Sequence, residues 1–437
     1  MLKTFRNAWK IAELRKKILF TLFVLLIFRL GAALPVPFID AGALESWFGS
    51  DAVQGSMFNY LDMLTGGSFS QATVFALSVT PYINASIIMQ LLTVAIPALE
   101  RLSKEGEEGR NVINRITRYV TTGIAALLGV MYYFLLRNQG ALSDEGVFAA
   151  LVIIFTFTAG SMLITWLGEQ IDTHGIGNGV SMLIFAGIVS RLSTLPGQAV
   201  SYHSYAQMLR QFGQPWVQIY IFLVLAAILS IVSIFFAVFI TNAERRIPVQ
   251  YAKRVVGRKQ YGGQASYIPL KVNMSGVLPV IFASSIVSIP ATILMFFPAL
   301  SDKKIIGPVL NFFNMNGWGY AVFYALLIFA FNYFYVAIQY NPIEIANNLR
   351  SNNGVIPGVR PGKPTSDFIT RALSKITFMG GIFLVLLAGL PIVMGNLTGI
   401  QMQLAGTSLL IMVGVALDTC RSLESYMLMR HHKGFLE

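Results

Sequence analysis

The sequence predicts an all-α polytopic membrane protein with ten transmembrane helices in two inverted five-helix halves. Of its 437 residues, 55% are hydrophobic and only 12% are charged, which is about half the charged share of a soluble domain. Apolar runs long enough to cross a bilayer recur along the whole chain, and groups of lysine and arginine alternate with them. The net charge of +12 therefore indicates one basic side of a membrane protein rather than a soluble nucleic-acid-binding surface.

A membrane span needs about 17–25 predominantly apolar residues, which sets the length of each element. The first candidate follows a basic N-terminus and shows no small-residue cleavage site, so we interpret it as a retained span rather than a signal peptide. The candidate spans are residues 18–34, 72–98, 119–136, 147–167, 180–195, 217–240, 274–297, 318–338, 376–393 and 404–417.

The distribution of positive charge predicts the orientation of these spans. Most of the 32 lysines and arginines lie in the N-terminus, in the connections after the second, sixth and eighth spans, and in the C-terminal tail. Connections rich in lysine and arginine stay in the cytoplasm. Both termini are therefore predicted to be cytoplasmic, which requires an even number of spans. The single cysteine, Cys420, can form no internal disulfide.

The two halves, residues 1–200 and 201–437, each contain an odd number of spans and so run in opposite directions. Three correspondences favour an inverted repeat. The first connection of each half is long, the second span has an early proline (Pro81 or Pro279), and the fifth span is the shortest. The fifth spans stop where a charge interrupts the apolar run, at Arg191 and at Asp418. Interrupted spans at matching positions indicate the transport site of such repeats.

The second span carries polar groups that a simple anchor would lack. Pro81 is expected to break its first third, and Asn84, Ser86 and Gln90 place polar side chains at membrane depth. Two isoleucines four residues apart, at positions 83 and 87, share one helical face. The preceding segment, residues 58–71, is too short and too rich in glycine to span. Together these features predict a pathway that is lined by the second span and closed by the segment before it.

An ion-coupled carrier with inverted repeats is the alternative function. Such a carrier needs charges near the membrane midplane. Glu169, Asp172 and Asp418 lie at span ends, and Arg29 lies near the outer end of the first span, where anchoring at the interface explains them. We therefore favour a pathway with a hydrophobic lining, which closes by excluding water. Isoleucines that only face lipid or the protein core are the competing interpretation.

Two long connections, about residues 242–272 and 340–371, mix lysine and arginine with tyrosine, valine and isoleucine. This composition fits docking on a macromolecular surface, and attraction to anionic lipid is the alternative. The segment GIGNGVS (175–181) opens a membrane span, which disfavours a dinucleotide site. Because the sequence contains no phosphate-binding loop, metal-ligand cluster or nucleophile–base pair, we expect no enzyme activity, no cofactor and no metal.

Several motifs, in order along the chain, resemble the SecY/Sec61 family of protein-translocation channels in its bacterial form. The clearest are FRLGAALPVPFID (28–40), TPYINASIIMQLL (80–92), KEGEEGRNVINRITRY (104–119), GIGNGVSMLIFAGIV (175–189), ERRIPVQYAKR (244–254), YIPLKVNMSGVLPVIFASSI (267–286), FNYFYVAIQYNP (331–342), IPGVRPGKPT (356–365) and GTSLLIMVGVALD (406–418).

The resemblance implies a subunit that translocates unfolded preproteins and inserts membrane proteins through a central hourglass pore. An apolar ring would close the pore, a short plug helix at about residues 57–70 would seal its outer side, and a lateral gate between the second and seventh spans would open to lipid. The implied ring residues are Ile83, Ile87, Ile184, Ile281 and Ile411, with Val180 and Leu278 beside them. The implied plug residues are Phe58, Leu61, Asp62, Leu64, Thr65, Gly66 and Gly67.

The resemblance also implies a gate seam, a docking surface and partners. The seam residues are Ser86, Gln90, Ser284 and Ser285. The residues that dock the SecA motor ATPase or the ribosome are Arg245, Arg246, Lys253, Arg254, Arg360 and Lys363. The small membrane subunits SecE and SecG, signal sequences, preprotein chains and membrane lipid are the other implied partners. The implied location is the bacterial cytoplasmic membrane.

Overall fold

A computed structural model of the protein describes residues 2–48, 62, 65–211, 217–251, 254–256, 259–261, 265–296, 318–398 and 406–433. Within these ranges the chain is mostly helical, as the sequence predicts. The helices before residue 212 are α1 (Leu2–Lys10), α2 (Ala12–Gly31), α3 (Ala41–Phe48), α4 (Thr80–Ala95), α5 (Pro97–Lys104), α6 (Glu107–Asn138), α7 (Val147–His174), α8 (Gly179–Arg191) and α9 (Leu195–Gln211).

The second part of the chain combines long helices with short strands. Its elements are α10 (Val217–Asn242), β1 (Glu244–Tyr251), β2 (Arg254–Val256), β3 (Lys259–Tyr261), β4 (Ala265–Lys271), α11 (Leu278–Phe296), α12 (Trp318–Gln339), α13 (Pro342–Ser351), β5 (Gly354–Val355), α14 (Lys363–Thr398) and α15 (Thr407–Lys433).

Each of the ten predicted spans lies largely on one of these helices. Among the described residues, five helical stretches are long and apolar enough to cross a membrane unaided, and the pair α4–α5 makes a sixth if it is one bent span. A multi-pass membrane architecture is therefore confirmed, while the count of ten stays a prediction. The five stretches are Glu107–Asn138, Val147–His174, Val217–Asn242, Gly319–Ser351 and Lys363–Leu390.

The second predicted span differs from the structure at both ends. Its helix begins at Thr80 rather than at Ala72, because Ala72 and Ser78 have φ values of 45° and 49°, which no right-handed helix contains. Pro81 lies in the first turn of the helix, where its missing N–H costs no hydrogen bond, so the predicted break there was wrong. The break comes instead after Ala95, where α4 and α5 meet at 101°.

The prediction that the fifth span of each half is the shortest matches the described helices of the first half only. Helix α8 has 13 residues and ends at Arg191, as expected, but α15 continues past Asp418 to Lys433 and has 27 residues. The length of an apolar run gives only the part of a helix that lies in the bilayer. A polar continuation outside the bilayer can remain helical, as it does in α15. The other two correspondences match the structure, since Pro81 and Pro279 each occupy the second residue of a helix.

The connection after α10 contains a small antiparallel sheet that the sequence did not predict. Strand β1 lies between β4 and β5, and its register pairs Ile247 with Ile268 and Gln250 with Val355. Ile247 and Val249 are buried beneath the sheet, and the residues between and beside them are exposed. This alternation is typical of a strand with one face on a core. The two basic connections are thus joined through β1 and β5.

One buried apolar cluster connects the described halves of the chain. Helix α10 contributes Ala237 to its buried members, while side chains such as Ile231 and Phe235 are 67% and 74% exposed, as expected of a surface that faces lipid. The cluster includes Phe28, Ile87, Ile164, Ile184, Ala237, Ile281, Ile328, Leu384 and Ile411.

Candidate functional site

A cavity of about 930 Å³ lies between α4, α8, α11, α12 and α15. Its lining is apolar at one end and mixed with charge at the other. Five of the seven predicted ring residues line it, namely Ile83, Val180, Ile184, Leu278 and Ile281. The remaining two, Ile87 and Ile411, belong to the same buried cluster as Ile184 and Ile281.

The predicted ring residues differ in exposure. Ile184 and Ile281 are 5% and 9% exposed, and Ile83 and Val180 pack partly buried against the same cluster. Leu278 lies three residues before Ile281 on the same face of α11, yet it is 41% exposed and lies outside the cluster. Ile184 and Ile281 are therefore almost enclosed by their neighbours at the cavity wall, whereas Leu278, one turn earlier on α11, is largely open.

The mouth of the cavity is lined by charged side chains near the small sheet. Lys271 is the last residue of β4, and the Arg421 guanidinium donates to the Thr241 carbonyl oxygen at 3.0 Å and to Asn242 Oδ1 at 2.9 Å. Asp172 accepts a hydrogen bond from the Gly179 N–H at 2.7 Å. Local polar partners thus hold Arg421 and Asp172, as expected of interface residues rather than of an ion relay.

Helix α8 carries three features in order along its length. Asn178 caps its N-terminus at the mouth by accepting from the Ser181 N–H at 2.9 Å, and Ile184 lines the apolar part of the cavity. Ser190 and Arg191 at its C-terminus contact the glycine-rich segment. At 1.5 Å per residue, the capping residue and Arg191 are each about 10 Å from Ile184. The glycine-rich segment therefore lies beyond Ile184, at the end of α8 away from the mouth.

The glycine-rich segment is fixed to α8 by a buried ion pair. The Asp62 carboxylate pairs with the Arg191 guanidinium, and these side chains are 3% and 16% exposed. Asp62 Oδ1 also accepts from the Ser70 N–H at 2.7 Å. Gly66 has a φ of 70°, and a Cβ there would lie 2.9 Å from the Gly187 carbonyl oxygen, so only glycine fits this close approach.

The predicted plug is only partly described. Thr65, Gly66 and Gly67 lie in turns rather than in a helix, and Asp62 is the other described member. Residues 68–79 continue as turns packed beside α6 and α7, where the Tyr132 hydroxyl donates to the Phe69 carbonyl oxygen at 2.5 Å. Three predicted plug residues, Phe58, Leu61 and Leu64, lie outside the described residues.

The predicted gate residues lie on neighbouring helices. Ser284 and Ser285 on α11 both donate to the Ile281 carbonyl oxygen, at 2.8 Å and 3.0 Å. On α4, Gln90 Nε2 donates to Ser86 Oγ at 3.3 Å. Gln90 Oε1 accepts a hydrogen bond from Tyr335 on α12, a residue that the sequence argument missed.

The predicted docking residues lie around the sheet. Arg245, Arg360 and Lys363 are exposed. Arg246 donates to Glu244 at 2.7 Å and lies over the Tyr267 ring at 4.8 Å. The hydrogen bond to the Glu244 carboxylate raises the pKa of this guanidinium. Arg254 lies on β2, with its side chain undescribed, and Lys253 lies outside the described residues.

Comparison with known proteins decides the family. Residues 73–420 match the model of the SecY family, which is well over half of the chain. The chain belongs to the SecY family. The protein translocase subunit SecY of Thermotoga maritima is 40% identical over 451 residues, which cover all of this chain and 98% of that one.

Solved structures share the fold of this SecY-family chain. A protein-conducting channel aligns with a TM-score of 0.62 at 19% identity and covers 94% of this chain and 92% of its own. Sec61 in the canine ribosome-channel complex from the endoplasmic reticulum aligns with a TM-score of 0.58 at 17% identity, with the same coverage. Membership in a family of protein translocase subunits supports the channel interpretation and not the ion-coupled carrier.

Proposed function

We propose that the chain is the pore subunit that moves unfolded preproteins across the bacterial cytoplasmic membrane and releases membrane segments into lipid. The order of features along α8 carries this proposal: an open polar mouth, an apolar constriction, and a pinned glycine-rich segment follow one another along a single helix. A constriction without charge excludes water and ions at rest, yet it can open for side chains of any chemistry.

The structural roles follow from the same order. Ile83, Ile87, Ile184, Ile281 and Ile411 form the proposed ring, the segment with Asp62 and Gly66 is the proposed plug, and the seam between α4 and the pair α11–α12 is the proposed lateral gate. The proposed halves, residues 1–200 and 201–437, carry one side of that seam each. The basic sheet side faces the cytoplasm in this proposal, as do both termini.

The driving energy comes from partners in this proposal, because the chain supplies a pathway rather than chemistry. Exposed Arg245, Arg360 and Lys363 near the mouth suit a motor ATPase such as SecA, or ribosomal RNA, whose phosphates attract arginine. The fold relative found in a ribosome-channel complex favours the ribosome as one such partner. The exposed apolar face of α10 leaves room for lipid or for small membrane subunits such as SecE and SecG.

Two buried isoleucines provide the test of the pathway. Ile184→Ser places a hydroxyl in the constriction and is expected to raise the ion conductance of the resting channel in planar bilayers. Ile328→Ser is the matched control, because Ile328 is 0% exposed and belongs to the same cluster but does not line the cavity. The control should lose stability without leaking. Equal conductance in both variants would show that the cavity is not the pathway.

A further inference from the structure

A short irregular segment, residues 273–277, joins β4 to α11 and lines the mouth of the cavity. Pairing between β4 and β1 extends one step past the strands, to the Val272 N–H, which donates to the Ala243 carbonyl oxygen at 2.9 Å. Beyond that step, no backbone carbonyl of the described residues accepts a hydrogen bond from the N–H groups of residues 273–277. The segment therefore resembles the open end of a sheet edge at the entrance of the pathway.

Asn273 brings an unpaired acceptor to this segment. Its side chain lines the cavity and is 7% exposed, and its Oδ1 is buried without a hydrogen-bond partner among the described residues. Buried amides are usually satisfied, because an unpaired acceptor costs stability. Asn332 on α12 shows the usual case: its Oδ1 accepts from the Ser275 hydroxyl at 2.5 Å, and its Nδ2 donates to the Thr377 carbonyl oxygen at 2.8 Å. The Asn273 acceptor is therefore available to a group that enters the cavity.

Contacts with three helices keep the segment in place. Just before it, a Cβ on Gly380 of α14 would lie 2.5 Å from the Val272 carbonyl oxygen, so the two backbones touch. In its middle, Ser275 is held by Asn332 on α12. At its end, the Val277 carbonyl oxygen accepts from two N–H groups in the first turn of α11, both at 3.2 Å. A segment that is already ordered loses little conformational freedom when a ligand binds to it.

We propose that Asn273 and the open segment around it hold an entering polypeptide by its backbone, as an extended chain. This inference rests on the proposed function, which brings an unfolded chain to this mouth. Every residue except proline carries a backbone N–H, so Asn273 Oδ1 can accept from the chain whatever its side chains are. The open backbone of residues 273–277 binds the chain as a sheet edge binds an added strand. Such contacts slow the backward slip of the chain between forward steps.

Two leucine substitutions separate this role from a structural one. Asn273→Leu deletes the acceptor with little change in side-chain volume. Asn332→Leu is the matched control, because it removes a buried amide whose two hydrogen bonds both lie within the protein. Inverted membrane vesicles carrying each variant as their translocation channel are given a preprotein with a tightly folded C-terminal domain, which arrests the chain partway. The energy source is then removed, and the loss of protease protection gives the half-life of the arrested chain.

Asn273→Leu is expected to shorten this half-life by roughly fivefold, the factor that one net hydrogen bond represents, when the arrested stretch is rich in alanine and serine. Asn273→Ala should give the same loss, and Asn332→Leu should match the unmodified chain. A second set of preproteins carries a short run of prolines at successive distances from the folded domain. Prolines at the mouth offer no N–H, so Asn273→Leu and the unmodified chain should then release the preprotein equally fast. The melting temperature should fall in Asn332→Leu but not in Asn273→Leu, which removes an unpaired acceptor.

The results distinguish the proposed function from this inference. If the unmodified chain forms no arrested intermediate, the proposed function is wrong. If arrest occurs but Asn273→Leu and Asn273→Ala release the preprotein at the unmodified rate, the backbone contact is wrong and the channel stands. Faster release from every proline-containing preprotein would also overturn the contact, because a backbone N–H would then not be the group that binds. A melting temperature of Asn273→Leu as low as that of Asn332→Leu would overturn it too, because Asn273 would then have a structural partner.

Discussion

Replacing Asp62 with asparagine should unseat the proposed plug. The change removes the charge that pairs with Arg191 and keeps an oxygen that can accept from the Ser70 N–H. It therefore tests the ion pair rather than the turn around it. Among the described residues of the segment, the other polar contact with α8 is weak: the Ser190 hydroxyl lies 3.4 Å from the Gly66 carbonyl oxygen.

The free energy that the ion pair contributes to holding the segment in place follows from its burial. Two unit charges 4 Å apart attract by about 4 kcal/mol at an effective dielectric constant of about 20. Removing one partner of a fully buried pair costs about 3–5 kcal/mol. The Arg191 side chain is 16% exposed and can turn toward water. We therefore expect Asp62→Asn to destabilise the seated segment by about 2–3 kcal/mol. The displaced population should then rise about 30- to 150-fold.

Two assays measure this displacement. Ion conductance through the reconstituted channel at rest should rise with the displaced population. A cysteine in place of Thr65, whose side chain is 1% exposed, should react faster with a membrane-impermeant maleimide when Asp62→Asn is also present. Asp40→Asn is the control, because Asp40 is an exposed carboxylate that also accepts a backbone hydrogen bond, from the Gly42 N–H at 2.9 Å.

The double variant Asp62→Asn with Arg191→Gln distinguishes the pair from a general disturbance. It removes both charges, so no unpaired guanidinium remains buried, and its conductance should lie below that of Asp62→Asn alone. The reasoning is refuted if Asp62→Asn conducts and reacts no more than Asp40→Asn, or if the double variant conducts more than the single one.

Further predictions concern packing and docking. Gly160→Ala should lower the unfolding free energy by about 1–3 kcal/mol in thermal unfolding, because its Cβ would lie 2.0 Å from the Val74 carbonyl oxygen. Gly123→Ala, which meets nothing within 4 Å, is its control and should cost no stability. Arg360→Glu should slow motor- or ribosome-dependent translocation severalfold while leaving the melting temperature unchanged, since Arg360 is exposed. Normal rates in that variant would favour a lipid-facing loop instead.

The sequence predicts the helices well because bilayer thickness imposes one length on each apolar run. Runs such as residues 147–167 and 217–240 coincide with long helices, α7 and α10. The same rule fails where the chain leaves the bilayer. The turns of residues 72–79 are apolar but packed in protein, and the C-terminal part of α15 is polar but helical, so hydropathy misplaces both boundaries.

The candidate site was only partly predictable for a different reason. The family motifs indicate Ile184 and Ile281, which the structure places on one cavity. Partners that are distant in sequence leave no local signal. Arg191 appeared only as the charge that ends an apolar run, and its pairing with Asp62 depends on the path of the turns between α3 and α4. Tyr335 looked like one more aromatic residue in a span rich in them.

The N-terminus of α8 packs directly against the backbone of α7. A Cβ on Gly179 would lie 1.9 Å from the Gly168 carbonyl oxygen, so the two backbones touch there. If that contact acts as a pivot, Ile184 lies about 8 Å along the rod and Arg191 about 18 Å. A tilt of α8 would then move its outer tip more than twice as far as its middle. A small outward movement of Ile184 would displace Arg191 more than twice as far and would strain its ion pair with Asp62. The proposed ring and the proposed plug would therefore open together.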